Sequence, residues 1–279
     1  MKKFIAFIIT AVMALLLASC ALMGGSGTYE YADADLYVQG GAEVNLDAAA
    51  TENVTALDVD WVAGEIKIID GDAFTMTEEC AEGDYTPLYY YVGGDTLYIK
   101  SAVSGTSNDS LKKSPKKLTV TVPTDVVKLT VNTVKADYSV KSERIAAVIA
   151  ETVTGSGFID CEYLTGAVVT SVSGNVEMKA KAELVIGIVV VTVSGNAQLT
   201  IDNVDDINLE FQSISGKIVS DFEALNELNS ATSVSASEEQ SAESSGDEPE
   251  YYEFNGKQYL RFTVHFNSVS GNLIVKQAE

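Results

Sequence analysis

Basic residues are scarce in this chain. Against 40 Asp and Glu it sets only 18 Lys and Arg, for a formal net charge of −22. A nucleic-acid binder needs a basic footprint to displace counterions from phosphates, so nucleic acid is excluded as a partner. Adhesion through anionic lipid alone is disfavoured for the same reason, and the acidity fits a soluble, self-repelling domain outside the cytoplasm. Histidine occurs once, at His265, and no Gly-x-Ser-x-Gly elbow accompanies it, so a histidine-based triad has no second candidate. Of the 3 cysteines no two form a CxxC pair, and none has zinc-ligand spacing. Cys80 and Cys161 are either two separate thiols or a disulfide. Helical periodicity is almost missing, with residues 36–50 and 142–150 as weak candidates. With 4 prolines and abundant Val, Ile, Thr and Tyr, the composition favours strands.

One long apolar run is present, residues 4–18, after the basic Lys2 and Lys3. It is short for a bilayer span and typical of a signal-peptide core. It ends in Leu17-Ala18-Ser19-Cys20, which resembles a bacterial lipobox. Residues 1–19 then form a lipoprotein signal peptide. Cys20 becomes a lipidated N-terminus, and residues 20–53 hold the tether and an N-terminal segment. A Gly/Ser-rich stretch at Gly24, Gly25, Ser26 and Gly27 suits a tether that lets an anchored domain stand off a membrane.

The body of the chain, residues 54–279, repeats itself. SVSGNVEM begins at Ser171, TVSGNAQL at Thr192, SISGKIVS at Ser213 and SVSGNLIV at Ser268. Gly174, Gly195 and Gly216 are evenly spaced, and Gly271 follows after an insert at 226–250 that is rich in Ser, Ala and Glu. The insert's low hydrophobicity and lack of Lys and Arg predict a disordered loop. Weaker copies lie around Gly157, around Ala136 in a glycine slot, and at Trp61-Val62-Ala63-Gly64. A period of about 20 residues is the mark of a solenoid. Each unit reads as strand, small-residue corner, strand. Glycine permits positive φ and brings no Cβ to a tight corner, and the serines at Ser173, Ser194, Ser215 and Ser270 are placed to bond corner backbone groups. A single unit cannot bury its apolar side chains, but stacked units share one core, with parallel strands about 4.8 Å apart. The competing architecture is an antiparallel sandwich with chance repeats. The expected fold is all-β: a single-stranded β-helix, or β-solenoid, with rungs of about 20 residues.

On these residues the chain resembles the DUF4097-type β-strand repeat proteins, a bacterial adhesin-like group. The TVSG/SVSG ladder carries the likeness, supported by LDVDWVAGEIKI, VGGDTLYIKS and LTVTVPTDV. The resemblance implies a right-handed β-solenoid, exported or membrane-tethered, and brings no catalytic motif with it.

Several residues are candidates for chemistry. His265 alternates with Phe262, Val264 and Phe266, which puts it on the polar face of a strand. Asp202, Asp205 and Asp206 stand where units join. They read as turn residues, with calcium binding or a polysaccharide-cleaving carboxylate pair as the sharper alternatives. Residues 111–117, LKKSPKK, read as a solvated loop before a strand, or as a contact to anionic headgroups or envelope polymer. Tyr85, Tyr89, Tyr90 and Tyr91 could stack sugars, though alternation sends Tyr90 to the opposite face from Tyr89 and Tyr91.

The expected function is non-catalytic. It is a cell-envelope lipoprotein, held at the cell membrane or outer membrane through Cys20, presenting a rigid surface to envelope polysaccharide or protein. No enzyme activity, metal or cofactor is expected. The alternatives are a polysaccharide-active β-helix enzyme and an envelope-stress sensor or regulatory domain.

Overall fold

The computed structural model describes residues 27–80, 86–123, 125–204, 208–223, 225, 251–254, 257–260 and 263–278. The signal peptide, Cys20, Tyr85, Asp205, Asp206 and the insert at 226–250 lie outside the described residues.

The fold is nearly all β. In chain order the first part holds β1 (Thr28–Tyr29), β2 (Val38–Gln39), β3 (Glu43–Asn45), a short helix α1 (Ala48–Thr51), β4 (Ala56–Asp70), β5 (Thr75–Cys80), β6 (Tyr89–Gly93), β7 (Thr96–Lys100), β8 (Thr106–Ser107), helix α2 (Asn108–Lys113), β9 (Lys116–Val122) and β10 (Lys128–Ser142). The repeats supply β11 (Ala147–Thr152), β12 (Gly157–Cys161), β13 (Gly166–Ser171), β14 (Val176–Ala180), β15 (Gly187–Thr192), β16 (Ala197–Ile201), β17 (Asn208–Ser213) and β18 (Ile218–Ser220). A hairpin of β19 (Tyr251–Phe254) and β20 (Lys257–Leu260) precedes β21 (Thr263–Ser268) and β22 (Leu273–Gln277). Neither weak helix candidate is a long helix: 36–50 contains β2, β3 and the start of α1, and 142–150 runs into β11.

The strands form two ladders. The first runs β2–β6–β7–β4–β10–β11–β13–β15–β21–β17. The second runs β3–β5–β9–β4–β10–β12–β14–β16–β22–β18. The long strands β4 and β10 serve both, bending from one ladder to the other between Trp61 and Gly64 and between Thr133 and Ala136. Each ladder is parallel except at its N-terminal end, where β2–β6–β7 and β3–β5–β9 pair antiparallel. In register, Lys128 faces Ala147, Ala147 faces Gly166 and Gly166 faces Gly187, so these levels lie 19, 19 and 21 residues apart.

Alternation fills the space between the ladders. Along the first ladder Leu57, Leu129, Val148, Ala167, Ile188 and Val264 point inward at one position; Val59, Val131, Ala150, Val169, Val190 and Phe266 do so two residues on. The second ladder answers with residues such as Ile68, Val140, Ile159, Met178, Leu199 and Val275. These form one continuous core. Each fully buried aliphatic side chain contributes on the order of 1.5–3 kcal/mol, a gain available only when neighbouring levels are in place.

The corners explain the repeated motif. A Cβ on Gly174 would stand 1.7 Å from the Gly155 carbonyl oxygen, and one on Gly195 would stand 1.9 Å from that of Gly174. The demand for glycine is therefore steric: among the described glycines only Gly64, Gly94 and Gly105 have positive φ. The hydroxyl three residues earlier turns inward to serve the corner. Ser171 Oγ accepts from the Gly174 N–H at 2.9 Å and donates to its carbonyl at 3.0 Å. Thr152, Ser213 and Ser268 accept likewise from Gly155, Gly216 and Gly271. The exposed serines before each glycine bond across levels instead, as in Ser173 Oγ to Val153 O at 3.3 Å.

One expectation needs correcting, and one feature of the stacking was not foreseen. The corner glycine of the degenerate copy is Gly155, stacked between Ala136 and Gly174. Gly157 has another reason: a Cβ there would lie 2.1 Å from the Tyr138 ring, so its bareness makes room for a buried aromatic. The levels are also not stacked in chain order. Gly271 lies against Gly195, and Gly216 lies against Gly271. The last strand pair, β21 and β22, is inserted between β15–β16 and β17–β18. The Phe266 and Phe211 rings stack there at 5.5 Å.

Candidate functional site

The outer face of the first ladder gathers the most chemistry. Alternation that buries Leu97 and Ile99 turns Tyr98 outward, and alternation that buries Leu57 and Val59 turns out Asp58 and Asp60. Parallel register sets Tyr98 beside Asp58, Lys100 beside Asp60, Asp60 beside Asn132, and Asn132 beside Glu151. The N-terminal segment crosses nearby. Tyr29 is buried and accepts from the Ser101 N–H at 3.2 Å, and Tyr31 donates to Ala102 O at 3.1 Å. The result is a row of rings, Tyr29, Tyr31, Tyr37, Tyr91 and Tyr98, with successive centroids 5.5, 4.8, 5.6 and 6.1 Å apart. Tyr31, Tyr37, Tyr91 and Tyr98 are half-buried.

A charged cluster supports the row. Lys100, nearly buried, is ion-paired with Asp60 and lies 3.9 Å from Asp58. Its ammonium sits about 6 Å from the Tyr31, Tyr37 and Tyr98 ring centres, within cation–π range. Asn132 donates to Asp60 at 2.7 Å. Burial, then the neighbouring Asp60 charge, pushes the Asp58 carboxyl up to about 6, with Lys100 pulling partly the other way. Burial and Asp60 also raise Glu151. Two neighbouring carboxylates thus have different environments: Asp60 is held by a cation and an amide, and Asp58 is pushed toward its neutral form.

The other candidates fall into plainer roles. Tyr91 joins the ring row, Tyr90 packs on the core, and Tyr89 donates to Gln39 at 3.3 Å. His265 is on the outer face of β21, with Nδ1 2.8 Å from Glu210 across to β17. Asp202 accepts from the Ala182 N–H at 2.8 Å and the Asn203 N–H at 3.1 Å, which is turn chemistry. Cys80 is exposed and Cys161 buried; they are separate thiols, and burial pushes Cys161 up to about 12. The basic run is not a solvated loop throughout. Leu111, Lys112 and Lys113 belong to α2, while Lys116 is buried, ion-paired with Glu78, 4.6 Å from the Trp61 ring centre and bonded to Thr86 O at 2.7 Å.

Sequence reasoning missed Asp58, Asp60, Lys100, Asn132 and Glu151. The signal was there in Asp58-Val59-Asp60 and Tyr98-Ile99-Lys100, each an alternating triplet with both outer residues on one face. Their meeting depends on register, which neither triplet specifies. Among the described residues no group of three or more His, Cys, Asp or Glu is placed to hold a metal ion, and no helix is long and apolar enough to cross a membrane.

No protein-family model and no curated protein matches this chain. Among solved structures, a protein of Clostridium sporogenes described as a "putative cell adhesion protein" aligns with 86% of this chain and 100% of its own, at 11% identity and a TM-score of 0.45.

Proposed function

We propose that the chain is a non-catalytic, lipid-anchored protein of the cell envelope whose two ladders are the faces of a right-handed β-solenoid with rungs of about 20 residues. On this reading the solenoid presents a rigid binding surface to envelope polysaccharide or protein, as an adhesin of the DUF4097 type would. The observation that carries it is the row of Tyr31, Tyr37, Tyr91 and Tyr98 rings over the outer face of the first ladder, three of them within about 6 Å of the Lys100 ammonium. Half-buried aromatics with fixed orientation and polar neighbours suit recognition at low entropic cost. The test is a pulldown on isolated cell-wall material. Tyr37→Ala with Tyr98→Ala should reduce retention at least tenfold with the fold intact. Undiminished retention by the double variant would remove the tyrosine face from the account.

The anchor at Cys20 belongs to the same proposal. Thr28 and Tyr29 are already part of the fold through β8, and the Asn108 N–H donates to Gly27 O at 3.1 Å. On this reading the anchored end enters the fold beside β8 and α2. Cys20→Ser should move the chain from the membrane fraction to the soluble one.

A second reading rests on Asp58. A carboxyl raised to about 6 beside a second carboxylate held by Lys100 and Asn132 is the pattern of an acid–base pair in sugar hydrolysis. Release of reducing ends from wall polysaccharide, lost in Asp58→Asn, would favour this enzyme.

A further inference from the structure

The second ladder's outer face carries a groove of about 470 Å³, lined by β10, β12, β14, β16 and β22 and by none of the row's tyrosines. Its floor is a line of side chains one residue past each corner: Asp137, Ser156, Asn175 and Asn196. The Asp137, Asn175 and Asn196 side chains are held by the ladder itself. Asp137 Oδ1 accepts from the Ser156 N–H at 2.7 Å, Asn175 Oδ1 from the Asn196 N–H at 3.0 Å, Asn196 Oδ1 from the Asn272 N–H at 2.9 Å, and Asn272 Oδ1 from the Lys217 N–H at 3.1 Å. Each carbonyl oxygen is committed to the next level's backbone. The Asn196 NH₂ also donates one hydrogen to Asn175 Oδ1 at 3.4 Å, so its other N–H, the Asn175 NH₂ and the second oxygen of Asp137 are what this line presents to a ligand, at the strand spacing of about 4.8 Å.

Two residues further on, the wall alternates in character. Phe158 and Ile274 offer apolar surface; Glu177 and Gln198 between them offer acceptors and a donor. The Lys179 ammonium is 5.5 Å from the Phe158 ring centre and is itself paired with Asp160 at 2.8 Å. The groove thus combines fixed donors, acceptors and an aromatic platform at a spacing close to the length of one pyranose residue. Its own charges, Asp137 and Glu177, are negative, so it repels uronate and phosphate polymers.

We propose that this groove is a second binding site, for an uncharged polysaccharide lying along the column with one sugar per level. It rests on reading the ladders as binding surfaces, and it adds the ligand class and a second face. Hydroxyls would bridge the Asn175 and Asn196 NH₂ groups to Glu177 and Gln198, and a sugar ring would stack on Phe158.

Native affinity electrophoresis of the full mature chain tests this, with mannan, dextran and hydroxyethylcellulose as uncharged polymers and polygalacturonate as the acidic control. The expected result is retardation by at least one uncharged polymer and none by polygalacturonate. Phe158→Ala and Gln198→Ala should each weaken retardation about fivefold, the scale of one lost stacking or hydrogen-bond contact, with unchanged unfolding midpoints. Tyr98→Ala should leave it intact. Retardation lost only in Tyr98→Ala would overturn the groove and leave the tyrosine face standing. Retardation by polygalacturonate alone, or by no polymer, would overturn the proposal, and the cell-wall pulldown would still decide whether any binding surface exists.

Discussion

A methyl group on Gly195 would stand 1.9 Å from the Gly174 carbonyl oxygen, and backbone cannot step aside as a flexible side chain can. Gly195→Ala should therefore destabilise the protein by about 1–3 kcal/mol or more, read as a lower denaturant midpoint. Gly166 is a control within a strand: its nearest neighbour to a new Cβ is 3.5 Å away, an ordinary contact, so Gly166→Ala should be near neutral. The hydroxyl inside the corner is the second fixture. Ser171→Ala leaves the Gly174 N–H without its partner in a buried site and should cost about 1–3 kcal/mol. The sequence made the glycines conspicuous but not their reason. A repeated glycine is equally compatible with positive φ and with close approach, and only the stacked carbonyl distinguishes them. The same ambiguity misplaced the corner at Gly157, because two glycines two residues apart look alike until Tyr138 is seen to occupy the space over one of them.

Asp58 gives a residue-level effect with a definite sign. Its folded pKa, about 6, lies above the ordinary aspartate value of 3.8 that stands for the unfolded chain, so between those values the folded state binds more protons. Stability contributed by this group is greatest below about pH 4 and declines as pH rises through 6. Melting temperatures across pH 4–7 should show this slope in the wild type and a flatter one in Asp58→Asn. Glu210 runs the other way. Its bond to His265 holds it below the usual carboxylate value, so its support is present at neutral pH and is lost in acid as pH falls through its folded pKa.

At the scale of elements, alternation was legible almost everywhere. Runs such as Val189-Val190-Val191 declared strands, and Val176 and Met178 against Glu177 declared an inside and an outside. Order along the column was not legible. The octamers at Ser213 and Ser268 present nearly the same apolar and hydroxyl pattern, so either could stack on β15–β16. What favours β21–β22 next to them is inner bulk, with Val264 and Phe266 fully buried at that level, while Phe211 at the outer level is only partly covered. One consequence separates this order from a sequential one. A chain ending at residue 262 loses β21 and β22 and, with them, the pairing partner of β17 and β18. Two levels should come apart together. The denaturant slope m should fall by about the share of surface that two levels bury, where sequential stacking would cost only one.

For the molecule as a whole, the two ladders carry different surfaces: tyrosines over paired charges on one, amides and an aromatic platform on the other. Neither face could be read from one segment, since each draws on residues far apart in the chain that only register unites. The inserted strand pair matters to this arrangement because Asn272 and Ile274 extend the groove beside Asn196 and Gln198. Cysteine pairs placed on the exposed corner serines test that stacking most directly. Ser194→Cys with Ser270→Cys occupies neighbouring levels, where parallel strands bring Cα atoms within disulfide range. Ser194→Cys with Ser215→Cys spans two levels and is out of range. Under mild oxidation, peptide mapping should find the 194–270 crosslink and no 194–215 crosslink. A 194–215 bond without the other would contradict the stacking order and the continuous faces built on it.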